Sequence, residues 1–201
     1  MDEGTASYEK MDPLDLFDGW YGDAWASERD ANAMACATAD GAGVPSVRIV
    51  LLKERDQRGF VFYTNFESSK GLDIAANAMA SLAFHWKSLK RQVRINGTVE
   101  TVSDAEADAY FASRPRDSRI AAWASKQSEV LPERFELERR FARFGLEFEG
   151  RDVPRPDYWS GYRVIPQSME FWVDRPYRLH ERIVFERAQP DAKWDVSRLY
   201  P

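Results

Sequence analysis

The chain of 201 residues has few of the side chains that build disulfides and metal centres, since it contains one cysteine and two histidines. A single cysteine excludes an internal disulfide. Cys36 lies in the apolar run Ala33-Met34-Ala35-Cys36-Ala37, which is typical of a small buried residue and not of a nucleophile. Three such residues are too few for a dedicated zinc site, so no metal site is predicted.

Long apolar runs are also missing. No stretch approaches the ~18 continuous apolar residues of a membrane span, and the N-terminus MDEGTASYEK is acidic and polar, unlike a signal peptide. We therefore expect a cytoplasmic protein with no membrane partner. The net charge of −5 disfavours a general role on nucleic acid, so any anion site must be assembled locally from basic residues.

The common nucleotide-binding loops do not occur, because the sequence contains neither G-x-G-x-x-G nor G-x-x-x-x-G-K-[ST]. A phosphorylated ligand would therefore depend mainly on side chains for its binding.

What is present is a chain rich in strands. We expect residues 1–11 to form a flexible N-terminal arm and residues 12–201 to form one domain. Asp12-Pro13 predicts the start of a helix over 13–28, and Asn96-Gly97 predicts a bulge or bend. Strands are predicted at 33–39, 46–53, 60–64, 80–86, 91–101, 159–165, 168–173, 181–187 and 193–199, and further helices at 68–77, 104–113, 117–126 (capped by Asp117-Ser118) and 132–149. Without regular βαβ alternation, this order favours a mainly β (α+β) fold, an antiparallel barrel with peripheral helices, over a doubly wound sheet.

Arg48 and Lys53 bound an apolar strand. Their separation places them on opposite faces of a regular strand, so both reach one ligand only if the strand bends or Lys53 lies past its end. The alternative is a pair of cations flanking a solvated strand.

Arg114-Pro115-Arg116-Asp117-Ser118 places two guanidinium groups and a hydroxyl at a predicted helix N-terminus, where free backbone N–H groups favour an anion. The alternative is a capped turn with Arg–Asp pairs at the surface.

Arg178, His180 and Arg182 would share one face if they lie in a strand. Three cationic or potentially cationic groups on one face repel one another unless an anion lies there. The alternative is an edge strand protected by charge.

Taken together and in order, these segments resemble the pyridoxine/pyridoxamine 5'-phosphate oxidase family from about residue 12 to Pro201. The matching segments are RIVLLK (48–53), FYTN (62–65), SSK (68–70), RQV (91–93), YFASRPRDS (110–118), SKQS (125–128), EFW (170–172), RLHER (178–182) and the terminal W-x-x-x-R-L-x-P (194–201).

The resemblance implies an FMN-binding split β-barrel that forms a homodimer, with two flavin sites between the subunits. It implies an enzyme of vitamin B6 metabolism, a pyridoxal 5'-phosphate synthase, that oxidises pyridoxine 5'-phosphate or pyridoxamine 5'-phosphate. O2 would accept the electrons and yield hydrogen peroxide, and the amine substrate would also release ammonia.

The resemblance also implies the site residues. FMN would be held by Arg48, Ile49, Val50, Leu51, Leu52, Lys53, Tyr63, Thr64, Ser69, Lys70, Gln92, Gln127, Ser128, Trp172 and Arg182. The substrate would be held by Lys53, Tyr110, Arg114, Ser118, Arg178, Leu179 and His180. Of these, Arg178 would cap the substrate ring and stabilise charge on it, and His180 would be a hydrogen-bonding or proton-handling partner.

Ser69 departs from the family pattern, which usually has a basic residue before the lysine of this segment. A hydroxyl carries no charge, so we predict that FMN binds more weakly here than the pattern would give, unless Lys70 and Arg48 compensate.

Three other functions compete with this prediction. A related FMN oxidase of the phenazine-biosynthesis type would act on a tricyclic substrate, but that group generally lacks the RPRDS segment. A non-catalytic flavin or vitamer-binding protein would keep the FMN residues without turnover. A nucleic-acid-binding barrel is disfavoured by the net charge.

Overall fold

The computed structural model describes residues 8–201, so the first seven residues of the predicted arm lie outside the described residues. The remainder of that arm includes a short 3-10 helix, Tyr8–Lys10. The ring of Tyr8 packs edge-on against Trp20, with 5.8 Å between the ring centroids. This contact joins the start of the described chain to the first α-helix.

Nine strands and five α-helices follow one another within residues 8–201. Their order is α1 (Pro13–Ser27), β1 (Ala33–Ala39), β2 (Pro45–Leu51), β3 (Glu54–Asp56), β4 (Gly59–Asn65), α2 (Ser69–Ala76), β5 (Met79–Trp86), β6 (Arg91–Thr101), α3 (Asp104–Ser113), α4 (Arg116–Ala124), α5 (Glu136–Glu147), β7 (Trp159–Val173), β8 (Glu181–Glu186) and β9 (Asp195–Arg198). None of these helices combines the length and apolar composition needed to span a bilayer.

All the strands belong to one antiparallel sheet in the order β2-β1-β5-β6-β7-β4-β3, and β8 joins β7 to β9. Successive side chains of a strand point to opposite faces of the sheet. In β1, Met34, Cys36 and Thr38 are buried on the inner face. Helix α1 covers this core because Phe17 packs edge-on against Phe60 of β4. The predicted α+β architecture with an antiparallel sheet is therefore confirmed.

Local signals place several elements where they were predicted. The Asp12 carboxylate accepts a hydrogen bond from the Leu14 N–H at 2.8 Å and caps α1. Ser103 and Glu106 form a reciprocal capping box at the start of α3. The β6–β7 register shifts between Asn96 and Gly97, which confirms the predicted bulge.

Three predicted elements have wrong boundaries. Residues 159–165 and 168–173 are one continuous strand, β7, because Pro166 pairs with Gly97 at the bulge, where a missing backbone N–H does not interrupt the ladder. Helix α4 begins at Arg116 after Pro115 without a side-chain cap, so Asp117 and Ser118 lie in its first turn and do not precede it. Helix α5 is also shorter than predicted.

Candidate functional site

A cleft of about 900 Å³ lies where β2, β4, the start of α2, the end of α3 and α4 converge. Its lining residues are Ser46, Val47, Arg48, Ile49, Val50, Leu51, Lys53, Tyr63, Thr64, Asn65, Ser69, Lys70, Tyr110, Arg114, Pro115, Ser118, Ala121, Ala122, Ser125, Gln127, Ser128 and Trp159. Four of these described residues are Arg or Lys and none is Asp or Glu. The cleft is therefore electrostatically suited to an anion, although the whole chain is acidic.

Arg48 and Lys53 both reach this cleft because β2 ends at Leu51, before Lys53. The condition derived from their spacing is met, since Lys53 lies past the end of the strand. Between them, Leu52 is buried in the hydrophobic core and does not line the cleft. The Leu52 side chain therefore does not line the predicted site, unlike the side chains of its neighbours.

Lys70 forms one cationic group of the cleft together with Arg48. Although only 7% exposed, Lys70 donates hydrogen bonds to two neutral hydroxyls, Thr64 Oγ1 and Ser68 Oγ, both at 3.0 Å. Burial, and secondly the nearby Arg48, lower the pKa of Lys70. Its ammonium has three donors, so one remains for a ligand.

Arg114 forms a second cationic group, with different neighbours. Its guanidinium lies 4.7 Å from the ring centroid of Trp159. Its Nη1 is buried without a hydrogen-bond partner among the described residues. Burial lowers the pKa of Arg114. A buried donor without a partner is costly, so this atom is ready to bind an acceptor supplied by a ligand.

Three parallel aromatic rings form a wall beside Arg114. Tyr63 stacks on Tyr110 with 4.0 Å between centroids and an interplanar angle of 11°, and Tyr63 lies 5.5 Å from Trp159 at 7°. The Tyr63 hydroxyl donates to Glu54 Oε1 at 2.9 Å, and burial is the main cause that raises the pKa of Tyr63. With its proton committed to Glu54, Tyr63 presents a flat ring to the cleft.

Arg116, the second arginine of the RPRDS segment, does not line the cleft. It donates instead to the carbonyl oxygens of Phe148 at 2.6 Å and Arg151 at 2.8 Å, at the C-terminal end of α5. Arg140 of α5 in turn donates from Nε to the Ala124 oxygen at the end of α4, at 2.6 Å. The prediction of two anion-binding guanidinium groups is therefore wrong for one of them, because Arg116 joins two helices.

The segment after α4 closes the cleft from the other side. Gln127 Oε1 accepts a hydrogen bond from Thr64 Oγ1 at 3.3 Å, and Ser128 adopts a left-handed backbone conformation with φ 74°. The hydroxyl of Ser118, in the first turn of α4, also lines the cleft.

The other predicted site residues form a separate group. Gln92 of β6 pairs with Trp172 of β7, which pairs with Arg182 of β8. Arg182 donates from Nε to Glu170 Oε1 at 2.7 Å. The Trp172 ring lies 4.8 Å from that of His180. None of these residues lines the cleft.

Arg178 and His180 do not share a strand face, because Pro176–Arg178 is a 3-10 turn and β8 begins at Glu181. This overturns the shared-face prediction. Tyr177 and Arg178 are both left-handed, at φ 60° and 61°, and Leu179 is exposed. His180 Nδ1 accepts from the Arg175 N–H at 3.1 Å.

The two groups of residues lie at opposite ends of β7. Trp159 begins this strand in the cleft and Trp172 nearly ends it in the second group. Thirteen residues of strand correspond to roughly 40 Å of chain length. Within one protomer, the cleft therefore does not include the second group.

Some lining residues were missed from the sequence. Asn65 and Ser125 lie inside the FYTN and SKQS segments, so the motifs themselves could have indicated them. Trp159 has no local signal, because its contact with Arg114 depends on how β7 packs against α3.

Two family models match this chain. The model described as pyridoxamine 5'-phosphate oxidase matches residues 23–147. The model described as pyridoxine 5'-phosphate oxidase C-terminal dimerisation region matches residues 159–201. The second model thus includes all of the second group except Gln92.

Curated relatives give the same result. Proteins named pyridoxine/pyridoxamine 5'-phosphate oxidase from Brucella canis and Brucella suis are each 56% identical to this chain over 194 residues. The match covers 96% of this chain and 96% of each relative.

Solved structures confirm the predicted antiparallel split barrel with peripheral helices. PhzG from Burkholderia lata, solved in complex with tetrahydrophenazine-1-carboxylic acid, superimposes with a TM-score of 0.89 at 31% identity, covering 94% of this chain and 93% of that one. A pyridoxamine 5'-phosphate oxidase-related, FMN binding protein from Nostoc punctiforme has a TM-score of 0.74 at 14% identity, covering 95% of this chain and 99% of that one. The Nostoc protein shows a shared fold alone.

Proposed function

The chain belongs to the pyridoxamine 5'-phosphate oxidase family, and from this we propose that it oxidises pyridoxine 5'-phosphate or pyridoxamine 5'-phosphate to pyridoxal 5'-phosphate with FMN as its cofactor. The observation that carries the proposal is the presence, in one cleft without carboxylates, of two cationic groups with different neighbours, Lys70 with Arg48 and Arg114 with the aromatic wall. A phosphorylated cofactor and a phosphorylated substrate need two such groups.

The first cationic group, Lys70 with Arg48, fits the FMN phosphate. Lys70 is a buried cation whose hydrogen-bond partners are neutral hydroxyls, and Ser69 and Thr64 line the cleft beside it. A phosphate would supply the negative charge that this lysine lacks. FMN, when bound, supplies the hydride acceptor that no amino-acid side chain provides.

The second cationic group, Arg114 beside the aromatic wall, fits the substrate phosphate. Arg114 offers a planar fork of donors, and its Nη1 has no partner among the described residues. The hydroxyls of Tyr110 and Ser118 and the ammonium of Lys53 line the same cleft and add donors. The parallel rings would give the substrate end of the cleft a flat apolar surface.

The second set of site residues would come from another copy of the chain. A match to a dimerisation region over residues 159–201 supports a homodimer. In that assembly, the partner's Gln92, the partner's Trp172 and the partner's Arg182 would complete the FMN site. The partner's Arg178, the partner's Leu179 and the partner's His180 would complete the substrate site. This arrangement also explains why the two groups do not share a cleft in one protomer.

Arg178 would stabilise charge on the substrate ring, and His180 would hold or move a proton beside it. His180 Nδ1 lies 3.1 Å from the Arg175 backbone N and 3.0 Å from Asp174 Oδ1, so these two neighbours orient the imidazole ring. In the overall reaction O2 becomes hydrogen peroxide, and the amine substrate also releases ammonia while water supplies the aldehyde oxygen.

The test is oxygen-dependent formation of pyridoxal 5'-phosphate by the purified, FMN-loaded protein. Each of the two substrates is supplied in turn, with Arg178→Ala and Arg114→Ala as variants. Product from either substrate that falls sharply in both variants, at a substrate concentration below the wild-type KM, supports the function and the site. A yellow protein that forms no aldehyde would contradict the proposal.

A second candidate is an oxidase of a tricyclic substrate, which the likeness to PhzG favours. Supplying a partly reduced phenazine carboxylate beside pyridoxine 5'-phosphate separates the two. We expect turnover of the phosphate ester, because Arg114 binds a phosphate group that the tricycle lacks.

A further inference from the structure

Thr38 stands between the cleft residue Arg48 and the carboxylate of Asp73. Arg48 Nη1 donates to Thr38 Oγ1 at 2.7 Å, and the Thr38 hydroxyl donates to Asp73 Oδ2 at 2.6 Å. Arg48 Nη2 and Asp73 Oδ2 are 3.7 Å apart, beyond hydrogen-bond distance. The two side chains thus form a loose ion pair, and the threonine hydroxyl takes the place of a direct hydrogen bond between them.

Thr38 is a polar side chain in a row of buried apolar ones. It follows Met34 and Cys36 on the inner face of β1 and is only 3% exposed. Its hydroxyl is fully used, with one hydrogen bond accepted and one donated. A buried hydroxyl with both bonds satisfied has a fixed orientation, and so do its two partners.

The other contacts of Arg48 fix one edge of its guanidinium. Nη1 also approaches the carbonyl oxygens of Cys36 at 3.1 Å and Ser46 at 3.2 Å, while Nη2 donates to Ser46 Oγ at 2.5 Å. A guanidinium has five N–H donors. The Nε–H and one Nη2–H are left for a ligand in the cleft.

We propose that Thr38 is a positioning residue for the cofactor phosphate, because its hydroxyl keeps Arg48 directed at the cleft and prevents the loose Arg48–Asp73 ion pair from closing into a direct hydrogen bond. The inference rests on the proposed FMN function. Asp73 lies on α2, the helix whose first turn carries Ser69 and Lys70, so the two hydrogen bonds of Thr38 link Arg48 to the helix that carries the second cation. Without the hydroxyl, the Arg48 guanidinium would turn to the Asp73 carboxylate and lose contact with the anion.

Two substitutions of Thr38 separate positioning from packing. Thr38→Val keeps the shape and removes the hydroxyl, whereas Thr38→Ser keeps the hydroxyl and removes a methyl group. The dissociation constants of FMN and riboflavin, which lacks the phosphate, are measured on the stripped protein by quenching of flavin fluorescence. Thr101→Val, at an exposed threonine of β6 outside the cleft, is the matched control.

We expect Thr38→Val to weaken FMN binding about tenfold, as for a lost hydrogen bond to a charged group, with little change for riboflavin. Thr38→Ser and Thr101→Val should bind FMN like the wild type. Asp73→Asn removes the competing charge, so alone it should not weaken FMN binding, and in Thr38→Val/Asp73→Asn it should restore most of the lost affinity.

Other outcomes would overturn the inference. These are wild-type FMN affinity in Thr38→Val, equal or greater loss in Thr38→Ser, equal loss for riboflavin, or a large loss in Asp73→Asn alone. If Thr38→Val does not fold, the FMN affinity of Asp73→Asn still tests the inference. A wild-type protein that binds no FMN would instead contradict the proposed function.

Discussion

The guanidinium of Arg114 stacks over the indole of Trp159 at 4.7 Å, while its buried Nη1 has no hydrogen-bond partner among the described residues. The ring offsets part of the cost of removing the cation from water, and an ion pair does not. Burial of Arg114 therefore destabilises the fold, and a bound anion would offset this loss of stability. Such a residue is expected to contribute to binding and not to stability.

Arg114→Ala should raise the KM for the phosphorylated substrate by roughly 10- to 150-fold, the equivalent of about 1.5–3 kcal/mol for a hydrogen bond to a charged group. FMN affinity should not change, and the thermal midpoint should not fall. Steady-state kinetics, flavin titration and thermal unfolding check the three expectations. An unchanged KM would mean that Arg114 does not contact the substrate.

Arg116 is the matched control for Arg114, two residues along the same segment. It donates to the Phe148 and Arg151 carbonyl oxygens, so Arg116→Ala should reduce the free energy of unfolding by about 1 kcal/mol. Its KM should change much less than that of Arg114→Ala. The two variants therefore separate a binding arginine from a structural one.

The contrast between these arginines shows what the sequence could and could not predict. The helix start at Asp12-Pro13 was predicted because its cap depends on residues within one turn. The partner of Arg116 lies 32 residues away along the chain, at Phe148, and no local pattern indicates it.

The same limit applies to the strands. Most strands were predicted close to their observed bounds, but the predicted gap between 159–165 and 168–173 does not exist, because the bulge at Gly97 on the neighbouring strand accommodates Pro166. The division of the site between Trp159 and Trp172 follows from the length of β7. Motifs predicted the site residues through a family resemblance, whereas the separation of those residues is a property of the folded sheet.

Ser69→Arg should tighten FMN binding. Ser69 is exposed, lines the cleft and precedes the buried Lys70 at the start of α2, so an added guanidinium has room to reach the phosphate. An exposed pair contributes about 0.4–1 kcal/mol, which corresponds to roughly a two- to fivefold lower dissociation constant. Ser27→Arg adds the same charge at the end of α1, outside the cleft, and should have no effect. An unchanged or higher dissociation constant in Ser69→Arg would show that the serine costs no affinity.

Glu106→Gln should make the protein less sensitive to acid. Arg163, which is almost fully buried, donates to Glu106 Oε1 at 2.9 Å and is the main reason why the pKa of Glu106 lies well below its usual range, with Ser103 and Arg58 adding to the effect. A depressed pKa means that the ionised carboxylate stabilises the fold above its unfolded pKa of about 4.3. This stabilisation is lost as the pH falls through that value towards the folded one.

Urea unfolding at about pH 7 and about pH 4 tests this expectation. The substitution should lower the urea midpoint at the higher pH, and the difference from the wild type should narrow at the lower pH. Glu149→Gln, at an exposed carboxylate without an ion pair among the described residues, is the control and should show no such pH-dependent difference. An equal difference in urea midpoint between wild type and Glu106→Gln at both pH values would show that the carboxylate charge does not stabilise the fold.

At a substrate concentration well below the KM of Arg114→Ala, where each variant alone turns over little, two impaired variants should restore activity to each other if each site combines the cleft of one protomer with the β6–β8 end of its partner. Arg114→Ala damages the cleft, and Arg178→Ala damages the other group. In a mixed dimer, both substitutions fall in one site and the other site is intact. Random mixing makes half of the dimers mixed, each with one intact site of two, so the activity should reach about a quarter of the wild-type value.

Co-expression with two different affinity tags, or refolding of a mixture, provides the mixed dimers, and pyridoxal 5'-phosphate formation provides the measurement. The control is the double variant Arg114→Ala/Arg178→Ala mixed with Arg114→Ala, in which every site carries at least one defect. A mixture of the double variant with wild type is not equivalent to the mixture of the two single variants. In each of its mixed dimers, one site has a damaged cleft and the other site has a damaged β6–β8 end. Activity in the first mixture and none in the control would place Arg114 and Arg178 of one site on different chains. No recovery from dimers shown to be mixed would mean that each chain supplies both residues to its own site, in conflict with their placement at opposite ends of β7.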